Sequence, residues 1–249
     1  KICKGLPIKK YKTCAPLVKK LHQTCPLQKI AYRTICSTGQ NITELHYPKY
    51  DSTIHANSLI LLDMGFKYEG YCCDITRMIP KSGKFTANQK ILYQIVLDIQ
   101  EDIIKKLKSG VSFKTLQSDC YLELFVQLEK INLVIGNNLS NSYKIDFIKG
   151  NIMYHGLGHP IGLDVHDIGP LDILEKNMVI TVEPGIYLRE SLLTHELVNS
   201  SELTKYLDIG GIRIEDTIQI TSQGCKILNK INTRNVLPKK IQDIEKYMK

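Results

Sequence analysis

Two runs in this chain share a plan that few folds can accommodate. Leu59-Ile60-Leu61-Leu62-Asp63-Met64-Gly65-Phe66 and Met178-Val179-Ile180-Thr181-Val182-Glu183-Pro184-Gly185 each carry an acid at the end of an apolar run, with glycine two residues later. Apolar runs of this length read as buried strands. A carboxylate held there is costly unless it is paired or binds a cation. Each run is followed by a second acid: Asp74, in a short strand expected near Tyr71 to Met78, and Glu215, in Gly211-Ile212-Arg213-Ile214-Glu215-Asp216. The chain therefore reads as two halves of a pseudo-symmetric α/β domain, with two acids from neighbouring strands of each half meeting at the centre.

Helical patterns follow the first pair of acids along the chain. Thr86-x-x-Gln89 is a capping box, and Ile91, Leu92, Ile95, Val96, Ile99 and Ile103 share one face of the helix it opens. Gly110 is expected to end that helix. A second helix is expected over 113–131, through Leu116, Cys120, Leu124 and Leu128. Ser109-Gly110 and Gly136–Asn141 read as loops, too short for interdomain linkers.

The first 30 residues hold eight lysines and are broken by Pro7, Pro16 and Pro26, with one short helix expected around 10–24. They account for much of a formal charge of +8. With no aromatic interleaving, a solvated basic flank is favoured over a nucleic-acid patch. Eight cysteines, at 3, 14, 25, 36, 72, 73, 120 and 225, show no C-x-x-C spacing and fit a reducing, cytoplasmic setting. No run reaches the roughly 18 apolar residues of a membrane helix.

One acid of this kind is ordinarily a core ion pair with lysine or arginine. Four of them, with a histidine cluster between the two pairs, point to metal. His155-Gly156-Leu157-Gly158-His159-Pro160-Ile161-Gly162-Leu163-Asp164-Val165-His166 sets three histidines in a glycine-rich frame. His-Glu-x-x-His is absent, which argues against a single zinc on a helix. Oxygen-rich ligation with one imidazole suits pairs of manganese, iron, cobalt or zinc, and four carboxylates balance two divalent cations.

Asp63-x-Gly65, Asp74-Ile75-Thr76-Arg77, the His155–His166 block, Thr181-Val182-Glu183-Pro184-Gly185 and Arg213-Ile214-Glu215-Asp216 together resemble the prolidase (Xaa-Pro dipeptidase) and aminopeptidase P family, from about Tyr32 onward. The resemblance implies an α+β pita-bread (creatinase/aminopeptidase-like) fold, with pseudo-twofold halves around a central curved antiparallel sheet. It implies two divalent ions, Mn²⁺ first, held by Asp63, Asp74, His159, Glu183 and Glu215, with Asp74 and Glu215 bridging. By the same matching Glu183 shuttles the proton, and His155 lies near the scissile carbonyl, able to donate to an oxyanion. His166 contacts the proline side, and His46 and Tyr32 line the substrate site. Arg213 orients the acids. Residues 1–249 are then one catalytic domain with a truncated start and without the family's N-terminal domain, and the full-length form is expected to be a homodimer.

The implied reaction is hydrolysis before proline, with Xaa-Pro dipeptides as substrates; the alternative is an aminopeptidase P acting on longer Xaa-Pro peptides. Asp167–Met178 is short and contains no arginine, only Lys176, where eukaryotic prolidases place a carboxylate-binding arginine. Leu192-Leu193-x-x-Glu196-Leu197 and Gly210-Gly211 look more prolidase-like. A methionine aminopeptidase would use the same ligand scheme, but Arg77, Arg213 and His166 favour the proline-directed branch. A non-catalytic pita-bread module binding protein or nucleic acid is the remaining reading, although such modules typically lose ligands and none is lost here.

Overall fold

The structure, a computed structural model, describes residues 8–23, 29–136, 138–229 and 237–248. Cys3, Cys25, Pro7 and Pro26 lie outside these residues. The basic flank forms α1 (Cys14–Gln23), followed by β1 (Lys29–Ile30) and β2 (Ile35–Thr38). The run expected as one strand from Leu59 to Phe66 is two: β3 (Leu59–Asp63) and β4 (Phe66–Tyr68), which belong to different sheets. The expected strand over 71–78 is likewise split into β5 (Tyr71–Cys72) and β6 (Thr76–Pro80).

The breaks fall at the acids. Past Asp63, the Met64 amide donates to Ile75 O at 3.1 Å, and the chain passes so close to its neighbour that a Cβ on Gly65 would lie 1.9 Å from Cys73 O. Only glycine permits that approach. Asp63 thus stands at the last ladder position before the kink, and Asp74 lies in the break between two strand segments.

β3 pairs antiparallel with β2 and β6, and both its faces are covered. Leu59 and Leu61 join the main core, whereas Ile60 and Leu62 meet Leu17 and Leu21 of α1 in a second cluster. The unbroken apolar run is the signature of this two-sided burial.

α2 (Ala87–Lys106) opens on the expected capping box, with Thr86 Oγ1 accepting from the Gln89 amide and Gln89 Oε1 from the Thr86 amide. Its buried face holds Leu92, Ile95, Val96, Ile99 and Ile103, but Ile91 is exposed. The helix ends at Lys106 rather than Gly110. Leu107 turns extended and buries its side chain, and Gly110 supplies the left-handed turn (φ +88°) before α3 (Phe113–Lys130). α4 (Asn141–Phe147) runs into a π-helical turn, Ile148–Ile152, just before the histidine block. Such turns often occur at functional sites.

The second half repeats the plan of the first. β7 (Val179–Val182) and β8 (Gly185–Tyr187) flank Glu183; after the short α5 (Ser200–Leu203), β9 (Gly211–Arg213) and β10 (Asp216–Ile220) flank Glu215. β11 (Cys225–Ile227) edges the sheet β11-β10-β7, β8 pairs with β9, and all ladder pairings among the described residues are antiparallel. The sequence reading did not include β1, β2, β11, α4 or the terminal α6 (Ile241–Tyr247).

The halves meet where the Glu215 amide donates to Thr76 O at 3.2 Å. The segment before α6 seals that seam. Arg77 donates to Pro238 O (3.0 Å) and Glu215 O (2.6 Å) and pairs with Asp216 at 2.6 Å. Lys239 reaches the other Asp216 oxygen at 2.9 Å and Gln100 Oε1 at 2.8 Å, while Tyr93 holds Lys239 O at 2.6 Å. Asp216 is fully buried, and its two cations keep its charge affordable there.

Candidate metal centre and substrate cleft

All ten residues singled out from the sequence line one cavity of about 590 Å³: Tyr32, His46, Asp63, Asp74, His155, His159, His166, Glu183, Arg213 and Glu215. The acids occupy its floor because each sits at a strand break. Ligand atoms of Asp74, His159 and Glu215 all lie within 4.8 Å of one another. His159 Nε2 is 3.7 Å from Asp74 Oδ2 and 3.5 Å from Glu183 Oε1.

The tautomer of His159 tests whether this set fits a cation. Its Nδ1 lies 2.9 Å from Pro160 O, a pure acceptor, so Nδ1 carries the proton. The bare Nε2 lone pair then faces carboxylate oxygens, an arrangement that is repulsive unless a proton or a metal ion stands between them. The donor set of one imidazole and several carboxylates therefore fits a hard or borderline divalent metal.

Asp63 is held differently. Arg213 Nη2 donates to its Oδ2 at 2.6 Å, so the ion pair that a single buried acid would suggest does exist here. Tyr32 Oη reaches Asp63 Oδ1 at 2.5 Å and also touches Asp74 Oδ1. One phenol proton cannot satisfy two carboxylates. Burial, followed by the charge of Asp63, pushes Asp74 up to about 7, so that a proton on Asp74 can complete this contact. Burial likewise raises Glu183 to about 8, against the pull of Arg213, and drives Glu215 well above the usual carboxylate range. One guanidinium does not neutralise four carboxylates.

Two hydroxyls given no role in the sequence reading complete the frame. Thr76 Oγ1 accepts from Arg213 Nε (3.2 Å) and donates to Glu215 Oε2 (2.8 Å), joining acids of both halves. Tyr187 Oη accepts from Arg213 Nη1 and lies 2.9 Å from His155 Nε2. His155 Nδ1 faces Gly156 O at 2.8 Å, so Nδ1 bears the proton and Nε2 accepts from Tyr187. Burial and Arg213 lower His155 to about 3, leaving it neutral. As the ring stands, neither nitrogen can donate to an oxyanion; the role expected from the sequence requires the ring to turn. The His166 ring lies tilted beside His159, with centroids 4.2 Å apart, and 6.5 Å from that of His46, forming the cleft wall.

Antiparallel strands kinked at paired acids, closing over a carboxylate and histidine floor, define a pita-bread scaffold with a candidate metal-binding floor. The chain belongs to metallopeptidase family M24, whose model matches residues 8–222. It is 32% identical over 246 residues to a probable Xaa-Pro aminopeptidase of Fusarium vanettenii, covering 88% of this chain and 51% of that protein. It is 33% identical over 238 residues to an uncharacterized peptidase of Saccharomyces cerevisiae, covering 82% and 43%. Escherichia coli aminopeptidase P with the inhibitor Pro-Leu superposes with a TM-score of 0.81 at 31% identity, over 97% of this chain and 54% of that one. The fold is thus the pita-bread fold, and the chain spans about half the length of the curated relatives it matches.

Proposed function

We propose that this chain is a metal-dependent peptidase unit that hydrolyses the bond before proline, with residues 1–249 forming one catalytic domain. The observation that carries this reading is the bare Nε2 of His159 facing Asp74 and Glu183 in a cleft walled by histidines. Asp63, Asp74, His159, Glu183 and Glu215 would hold two divalent ions, manganese first, with Asp74 and Glu215 shared between them. The ions would supply charge that activates water and polarises the scissile carbonyl.

The protein's own groups do the rest. Glu183, one of three acids whose burial raises their affinity for protons, takes a proton from the attacking water and hands it to the leaving proline nitrogen. Arg213 fixes Asp63 while bracing Tyr187, which holds His155 as a neutral wall. His46 and His166, 6.5 Å apart in the same histidine wall, are the groups offered to the peptide beside the metal ligands. Tyr32 keeps Asp63 and Asp74 apart at a fixed spacing.

Both Xaa-Pro dipeptides and longer Xaa-Pro peptides fit this reading, and the short Asp167–Met178 segment, without an arginine, favours tolerance of the longer ones. Manganese-loaded protein is expected to release the first residue from both Ala-Pro and Ala-Pro-Ala, and to bind two ions by elemental analysis. A dipeptide preference above about 1,000-fold, far beyond one charge-assisted contact, would show a strict dipeptidase. No turnover of either peptide with two ions bound would overturn the reading.

A further inference from the structure

The cleft has one cation to spare. Two arginines and no lysine line it among the described residues. Arg213 is committed to Asp63, Thr76 and Tyr187. Arg33 is not: its guanidinium lies over the Tyr50 ring, 5.0 Å from the centroid, and meets no carboxylate among the described residues. Stacking on an aromatic face leaves the in-plane N–H groups of a guanidinium free to take an anion edge-on.

The side chain is exposed, but its mounting is firm. The Ala31 amide donates to Gly65 O at 3.0 Å, and Tyr32 is fastened to the acids. Thr34 Oγ1 bonds His22 Nε2 at 2.9 Å, and Ile35 pairs with Asp63 in the ladder. The platform is fixed too, since Tyr50 O accepts from the Ala15 amide at the start of α1. Ile35, Leu45 and Pro48 give part of the same cleft an apolar lining, and a donor held on a fixed mounting needs little reorganisation to meet an anion there.

We infer that Arg33 is a specificity-determining residue that binds a carboxylate of the peptide substrate at the mouth of the cleft. This rests on the peptidase reading for the identity of the ligand. The carboxylate has two possible sources, an acidic side chain on the residue before proline or the C-terminus of a short peptide. Both offer the planar acceptor pair that a guanidinium matches.

The test measures binding as well as turnover, so it does not depend on catalysis. Calorimetry on the full manganese-loaded chain compares Glu-Pro-Ala-amide with Gln-Pro-Ala-amide, and Ala-Pro with Ala-Pro-amide. One pair should favour its carboxylate member by at least about fivefold at low salt, with the advantage shrinking as ionic strength rises. R33M should erase that preference while leaving affinity for the neutral member unchanged, and R33K should keep part of it. Y50L, which removes the platform, should weaken the preference without touching the floor of the site. The pair that responds identifies the source. Equal binding within both pairs in the unmodified chain, or a preference that survives in R33M, overturns the proposal. Turnover of Ala-Pro-Ala in the same samples reports separately on the peptidase reading.

Discussion

Glu183 and Asp74 occupy the floor where water, metal and substrate would meet, so changes there test chemistry with little change of shape. Glu183→Gln and Asp74→Asn should each lower kcat at least about 100-fold, measured on Ala-Pro-Ala. Near-normal turnover in either would contradict the proposed roles. Tyr187→Phe tests the frame instead. Losing its hydroxyl leaves His155 Nε2 and one Arg213 N–H unpaired in a buried place, at a cost of about 1–3 kcal/mol by urea denaturation. The acids and histidines were legible in the sequence because they interrupt apolar runs and glycine-rich segments where polar groups are out of place. Tyr187 and Thr76 were not. A tyrosine or threonine on a buried strand is ordinary core, and only the partner reached by its hydroxyl distinguishes it. Arg33 was missed for the opposite reason: an exposed arginine carries no sequence signal.

The strand elements show why two expected strands became four. Sequence pattern reports burial, and burial continues through Met64 and Phe66 on both sides of Gly65. Nothing in that pattern marks where the ladder partner changes. The glycine does so through space: its missing Cβ lets the chain pass Cys73 O and the Tyr32 ring. Gly65→Ala would place a methyl 1.9 Å from Cys73 O and 2.7 Å from Tyr32 Cε1, so the backbone and the Tyr32 ring must both give way. We expect a loss of about 1–3 kcal/mol of stability, together with weaker metal binding, because Tyr32 positions Asp63 and Asp74. Unchanged manganese affinity in a folded Gly65→Ala protein would show that Tyr32 does not set the ligand spacing. The capping box and the buried face of α2, all but Ile91, were legible because they are local. β1, β2 and β11, of two to four residues each, are defined by partners distant in sequence and left no local trace.

For the molecule as a whole, the site stores repulsion. Asp74, at about 7, and Glu183, at about 8, bind protons more tightly folded than in an unfolded chain, where carboxylates titrate near pH 4. The folded state therefore holds more protons over this range, and metal-free stability should fall as pH rises from about 6.5 to 8.5. His155 titrates far lower and does not interfere in that window. Thermal unfolding in a chelator should show a lower Tm at pH 8.5 than at pH 6.5, with manganese reversing the order; a flat metal-free profile would contradict the raised values. The clasp made by Arg77, Asp216 and Lys239 has a consequence for synthesis. Arg77 comes from the first half and Asp216 from the second, and the chain that locks both beside Glu215 includes Leu237–Lys239. A ribosome makes those residues after every acid and histidine of the cleft. A nascent chain thus carries the whole reactive set before the residues that clasp Arg77 to Asp216 have been made.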